Sequence, residues 1–294
     1  MKAPALPVAL FRAFRPKQWV KNGVLLAGIL FTLERGHPLG DWLRVIAAFG
    51  VFCFLSSAIY LINDVCDLEQ DRNHPRKRHR PLAAGHISVR TALLAALVLA
   101  IAGLAGALAL GGWFSLIASG YVVLTVSYSL WLKHAVLMDV MALAGCYVAR
   151  AAAGAAVISV EISPWLMGCT FLGALLIGLA KRRNELVTLE DAGRHRPILE
   201  EYTVEMLDWM IVVIASTTLV AYMLYTFFSP TAQHRPMLML TIPFVVYGML
   251  RFFYLIHRHG KGGDPSSDLI EDRNLIACGL LWAAVAAFVI LWGR

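Results

Sequence analysis

The sequence predicts an all-α integral membrane protein of about nine transmembrane helices, and three observations lead there. Of the 294 residues 59% are hydrophobic and the mean hydropathy is +0.67, beyond the range of ordinary soluble domains. The apolar residues form continuous runs rather than an alternating pattern, which fits helices and disfavours a membrane β-barrel. The formal charge of +7 is carried in the loops between those runs. There it reads as a topology signal and a source of phosphate ligands, not as a nucleic-acid surface.

The runs centre, in order, on Val20–Leu33, Trp42–Ile62, Thr91–Leu110, Trp113–Leu132, Val136–Ile158, Pro164–Ala180, Trp209–Phe228, Met237–Ile256 and Leu275–Trp292. A helix needs about 20 residues to cross a bilayer, and the first run is the shortest. Met1–Lys21 is basic and broken by Pro4, Pro7 and Pro16, which predicts a cytoplasmic tail rather than a cleaved signal peptide. Within it stands R-P-K-Q-W-V-K-N, Arg15–Asn22. Trp19 and the lysines suit an interfacial anchor. On an α-helix Lys17 and Lys21, four apart, would also face one phosphate.

Gly103, Gly106, Gly111 and Gly112 suit close packing of the third and fourth runs. Tyr128 and Lys133 close the fourth, where the lysine either snorkels or binds an anion. The fifth run carries Asp139 and Arg150 nearly three helical turns apart on one face, with Tyr147 and Gly154 beside that stripe. An arginine so deep is costly in lipid. Either it pairs with an acidic neighbour, or it faces a lipid phosphate or diphosphate from a cavity. The sixth run ends in K-R-R-N-E-L-V-T-L-E-D, Lys181–Asp191, where Lys181 and Glu185 share a face and Arg182 lies within a turn of Glu185. Asp191–Tyr202 reads as a short amphipathic cytoplasmic segment, and Gly260–Asp272 as a solvated turn or a lid. Cys53, Cys66, Cys146, Cys169 and Cys278 show no C-x-x-C spacing and are expected to act as small apolar fillers.

Nine crossings leave only Arg35, Arg44, Arg235 and Arg294 on one side. Apart from Arg150, every other Lys and Arg falls on the side of the N-terminus. The positive-inside rule makes that side cytoplasmic, with the C-terminus outside. One transmembrane domain is expected over 1–294, with cytoplasmic loops at about 63–90 and 181–207.

The stretch richest in chemistry is N-D-V-C-D-L-E-Q-D-R-N-H-P-R-K-R-H-R-P-L-A-A-G, Asn63–Gly85. Steps of three and four residues place Asp64, Asp67 and Asp71 on one helix face with Asn63, while Glu69 falls elsewhere. Converging carboxylates call for a hard cation, and Mg²⁺ is commonly held by one or two carboxylates plus phosphate oxygens. Arg72, Arg76, Lys77, Arg78 and Arg80 then suit a phosphate-bearing ligand. Positive-inside loop charge alone would account for the arginines but not for the spaced carboxylates.

N-D-x-x-D-x-x-x-D followed by R-P-L-A-A-G resembles the first aspartate-rich motif of the UbiA superfamily of membrane prenyltransferases. The resemblance implies helices around a central cavity open to the cytoplasm, with Asn63, Asp64, Asp67 and Asp71 holding Mg²⁺ on a diphosphate. Y-S-L-W-L-K, Tyr128–Lys133, is similar to a Tyr-and-Lys element of those enzymes. Where the superfamily has a second D-x-x-x-D, this chain departs from it. Its K-R-x-x-E-L resembles the decaprenyl-phosphate phosphoribosyltransferases of cell-wall arabinan synthesis, a branch of bacterial inner-membrane enzymes.

That branch implies a donor, phosphoribosyl pyrophosphate, and an acceptor, a polyprenyl phosphate. Asp64, Asp67 and Asp71 would serve the leaving pyrophosphate through Mg²⁺, and Glu185 a ribose hydroxyl or a metal-bound water. Lys17, Lys21, Arg72, Lys77, Arg80, Tyr128, Lys133, Arg150, Lys181 and Arg182 are the candidates for binding substrate. Three phosphates in one site require more cations than a prenyl diphosphate with a neutral ring, which agrees with a basic second motif. Two other readings stay open. One is prenyl transfer from a prenyl diphosphate to an aromatic acceptor. The other is an organic-anion transporter, for which internal repeats and broken mid-membrane helices would be expected and no clear repeat is seen.

Overall fold

The computed structural model describes residues 5–73, 75, 77–188, 197–258 and 272–292, and all regular structure among them is helical. In chain order the elements are α1 (Leu6–Ala13), a 3-10 segment (Pro16–Leu26), α2 (Ala27–Leu30), α3 (Leu39–Cys66), α4 (Leu68–Asn73), α5 (Val89–Leu110) and α6 (Gly112–Leu130). There follow α7 (Met138–Val157), α8 (Pro164–Thr188), α9 (Val204–Phe228), α10 (Pro230–His234), α11 (Ile242–Arg258) and α12 (Arg273–Trp292). Eight described helices are long and apolar enough to cross a membrane: α3, α5, α6, α7, α8, α9, α11 with its leading turn from Pro236, and α12. They coincide with the second to ninth apolar runs. Arg76, residues 191–196 of the amphipathic segment and residues 260–271 of the glycine-rich loop lie outside the described residues.

The first run differs. It forms an 11-residue 3-10 helix and one short α-turn instead of an α-helix. Pro16 starts it, and Lys21, Asn22 and Gly23 interrupt its apolar character. At about 2.0 Å per residue in 3-10 form and 1.5 Å in α form, Pro16–Leu30 still covers ~28 Å, close to the ~30 Å hydrocarbon core. Side chains three apart eclipse on such a helix. Asn22, Leu25 and Gly28 are accordingly buried in one column with the half-buried Trp19, while Lys17 and Val20 are exposed in another. This corrects the shared face expected for Lys17 and Lys21, since four residues of 3-10 helix turn the two side chains about 120° apart.

The chain divides into two compact units, Met1–Leu30 with His37–Ile162 and Phe31–Gly36 with Ser163–Arg294. In the first, the 3-10 segment runs antiparallel along α3. Trp19 Nε1 donates to Ser57 Oγ at 3.1 Å, and Asn22 Nδ2 to Cys53 Sγ at 3.5 Å. Against α7 it comes closer still: a side chain at Gly154 would overlap the Leu25 backbone, and one at Gly28 would reach Ala155 N at 2.9 Å. Gly103 and Gly106 let α5 approach Leu55 and Val51 of α3, as their spacing predicts. Phe52, Leu55, Phe114 and Tyr121 fill the centre of this unit. Toward the motif end a second core joins Ala9 and Ala13 of α1 to Leu61, Leu82, Ile87 and Ala92. Leu82 and Ile87 pin the P-L-A-A-G turn, which Gly85 closes at φ +74° with His86 N bonded to Pro81 O. Arg80 is thereby held at the edge of that core.

In the second unit α8 packs along α9, whose first turn is capped by Thr203 Oγ1 accepting from Met206 N. Tyr222, Thr241 and Trp282 share a polar knot at 2.7 Å, a form of internal satisfaction that lipid demands. Arg251 bonds Asp272 at 2.9 Å and holds that carboxyl below the usual carboxylate range. A depressed acid contributes stability that is fully present above its unfolded pKa of about 3.9 and is lost as pH falls through the folded value. Asp272→Asn is expected to leave the melting temperature at pH 7 lower and to flatten its fall below about pH 4; thermal melts in detergent across pH 3–7 check this.

Of the cysteines, Cys53, Cys146 and Cys278 are buried and Cys169 is half-buried, as fillers should be. Cys66 is exposed at the last residue of α3, so the filler expectation does not hold there.

Candidate active site

α3 ends at Cys66, Asp67 is its C-cap, and α4 begins at Leu68. The helical hydrogen bonds nevertheless continue across the break, from Asp67 N to Asn63 O at 2.9 Å and from Asp71 N to Asp67 O at 2.8 Å. The chain therefore keeps Asp64 and Asp71 close. Both are almost completely buried, at 3% and 2% exposure. Arg80 spans them, its Nη1 lying 3.1 Å from Asp64 Oδ1 and 2.5 Å from Asp71 Oδ2. Arg15 adds a second ion pair to Asp64 and stacks over the Tyr60 ring at 5.0 Å. Burial pulls the Arg15 guanidinium below the ordinary arginine pKa, and Asp64 acts against that fall. Arg15 itself sits in the left-handed region at φ 55°, a conformation a non-glycine residue adopts at some cost.

Asp67 turns to other partners. Its Oδ2 accepts from Asn63 Nδ2 at 2.8 Å and its Oδ1 from Lys133 Nζ at 2.6 Å. Lys133, in the 3-10 turn Leu132–His134 after α6, thus serves as a counter-ion instead of snorkelling. Three carboxylates are balanced by Arg15, Arg80 and Lys133. Among the described residues no three metal-ligating side chains stand close enough to form a cage. The donor set still suits Mg²⁺, which needs only one or two carboxylate oxygens when phosphate and water supply the rest. The same three cations are long, basic side chains already gathered where phosphate oxygens would sit beside such a metal.

Other expected residues fall differently. Arg72 is exposed and pairs with Glu69 at 2.8 Å, away from the carboxylates. Lys17 is exposed, while Lys21, Lys77 and Tyr128 are half-buried. Arg150 is buried at 4% exposure, yet among the described residues it finds no acidic neighbour. Its donors go to Asn22 Oδ1 at 2.8 Å, Cys146 O at 3.0 Å and Tyr121 Oη at 2.9 Å, with Tyr121 and Tyr147 flanking the guanidinium. The ion pair considered from sequence is replaced by neutral acceptors.

In the second unit Arg182 is 1% exposed and bonds Glu185 at 2.5 Å, one turn along α8, with Lys181 half-buried beside it. Arg183, which the sequence left unassigned, makes a two-point contact with Asp208 of α9; the Nη2–Oδ2 distance is 3.3 Å. His257 Nε2 also lies 3.4 Å from Asp208. Arg15, Tyr60, Asn22 and Tyr121 likewise join these clusters through tertiary contacts that the sequence does not show. Arg15 and Asn22 bound the R-P-K-Q-W-V-K-N stretch, and that was the available signal.

Residues 23–270 match the model of the UbiA prenyltransferase family. The chain is 32% identical over 293 residues to a decaprenyl-phosphate phosphoribosyltransferase of Mycobacterium tuberculosis, covering 98% of this chain and 96% of the relative. It is 32% identical over 282 residues to the protein of the same name from Corynebacterium glutamicum, covering 93% and 84%. Among solved structures, a UbiA homologue from Archaeoglobus fulgidus bound to GPP and Mg²⁺ superposes with a TM-score of 0.71 at 20% identity, covering 96% of this chain and 99% of that one.

Proposed function

The chain belongs to the UbiA prenyltransferase family, and from that premise we propose that it transfers 5-phosphoribosyl from phosphoribosyl pyrophosphate to a polyprenyl phosphate, releasing pyrophosphate. The observation that carries the reading is the similarity to decaprenyl-phosphate phosphoribosyltransferases over 98% of the chain. The abundance of cations around the carboxylates supports it, because a donor with a diphosphate and a 5-phosphate meets a phosphorylated acceptor.

A bound Mg²⁺ would neutralise the leaving pyrophosphate, held by Asp64, Asp67 and Asp71 with Asn63 orienting Asp67. Arg80 and Lys133 bind phosphate oxygens and stabilise the charge that develops as the bond from C1 to pyrophosphate breaks. An oxygen of the lipid phosphate forms the new bond to C1. That oxygen is anionic near neutral pH, so no strong general base is required. Lys181 and Arg182 serve substrate phosphates, and Glu185 orients a ribose hydroxyl. Counting Pro16–Leu30 as a crossing gives nine. The N-terminus then lies in the cytoplasm, where the soluble donor is made, and the C-terminus lies across the inner membrane.

The test uses purified protein in detergent with Mg²⁺, labelled phosphoribosyl pyrophosphate and decaprenyl phosphate. Label is expected in the organic-extractable lipid, and EDTA is expected to abolish its transfer. No transfer, together with prenylation of an aromatic acid from a prenyl diphosphate, would overturn the reading in favour of the family's prenyl chemistry.

A further inference from the structure

Arg150 is a nearly fully buried cation, and among the described residues no carboxylate reaches it. Holding a charge at that depth with neutral acceptors is costly, so the arrangement calls for a purpose. Its Nε bond goes to Asn22, which also bonds Cys53 of α3. Asn22 is therefore the point where α3, α7 and the 3-10 segment are tied together. It stands in the middle of the Trp19, Asn22, Leu25, Gly28 column, each member of which meets α3 or α7. The same segment begins immediately after Arg15, whose strained backbone aims its side chain at Asp64. An uninterrupted 3-10 run of 11 residues is unusual, and such stretches need outside restraint to persist.

We propose that Arg150 is a positioning residue for the carboxylate site. Through Asn22 it fixes the 3-10 segment in the register that delivers Arg15 to Asp64, and Arg15, beside Arg80, is a cation that a divalent metal has to displace there. The inference rests on the reading of Asp64 as a metal ligand and is independent of which group is transferred. It reverses the usual expectation for a site residue, because loosening the brace strengthens metal binding in the absence of diphosphate.

The experiment measures Mn²⁺ affinity by electron paramagnetic resonance on the full chain in detergent, without diphosphate. Arg15→Ala is expected to bind Mn²⁺ about tenfold more tightly, equivalent to ~1.4 kcal/mol. Asn22→Ala is expected to tighten it by a similar factor alone and to add nothing on the Arg15→Ala background. On an Arg80→Gln background, which removes the other partner of Asp64 from a separate loop, Asn22→Ala is expected to keep its full effect. Should Asn22→Ala fail to fold, Tyr121→Phe removes one acceptor of Arg150 while keeping the ring, and two- to threefold tightening is expected with the same dependence on Arg15. An unchanged or weakened Mn²⁺ affinity, or effects of Asn22 and Arg15 that simply multiply, would overturn the proposal. Phosphoribosyl transfer is assayed separately on the wild type. Its failure with the Mn²⁺ pattern intact would remove the substrate reading and leave the brace standing.

Discussion

Replacing Asp67 with Asn is expected to lower kcat by about 10²–10³-fold, on the scale seen when an electrostatic contact to a developing charge is lost. Asp67 is half-buried and its carboxylate is shared between Asn63 and Lys133. The amide has the same shape, so the turn between α3 and α4 survives, but it brings no charge to a metal and none to Lys133. Two losses then act at one point: weaker Mg²⁺ binding and a lysine without its counter-ion. Raising Mg²⁺ is expected to recover part of the rate and not all of it. Steady-state rates at several Mg²⁺ concentrations, with thermal melts as the check on folding, decide the matter. A variant that melts like the wild type and turns over at a near-normal rate would remove Asp67 from the metal site.

The second large effect concerns Gly154. A Cβ there would lie 2.7 Å from the Leu25 carbonyl carbon and 2.8 Å from its Cα, with the carbonyl oxygen nearer still. Backbone cannot give way as a side chain does, so Gly154→Ala forces the 3-10 segment off α7. The expected cost is ~3 kcal/mol or more, at or beyond the upper end for overpacking. Yield and melting temperature should fall sharply. Gly145→Ala is the control: its Cβ would meet only the Leu124 Cδ2 atom at 3.0 Å, which a rotamer change relieves. Equal melting of the two variants would show that the close approach is not required.

The membrane helices could be read from the sequence because their signal is bulk hydrophobicity, which long runs such as Trp42–Ile62 carry without reference to packing. The carboxylate motif was equally visible, since Asp64 and Asp71 lie within helical reach of each other. Their counter-ions were only partly so. Arg80 and Lys133 stood in recognisable motifs, but the pairing of Lys133 with Asp67 depends on contact between residues 66 apart in the chain. The form of the first run was not legible at all. An α-helix and a 3-10 helix are built from the same residue types, and partners far along the chain, Gly154 among them, decide which backbone lies against them. Arg150 stands out in the sequence by its depth in an apolar run, while its neutral partners come from tertiary structure.

The ~28 Å length of Pro16–Leu30 has one further consequence. Rewound as a regular α-helix, the same 15 residues would extend only ~22 Å. If it is the first crossing, it would then fall ~8 Å short of the ~30 Å hydrocarbon core, and such hydrophobic mismatch costs fractions of a kcal/mol for every ångström. The thickness of the bilayer pulls the segment toward its longer form, in the same sense as the contacts from α3 and α7. For such a crossing, lipids with short acyl chains would release that tension, which would couple the geometry of Arg15 at Asp64 to the surrounding membrane.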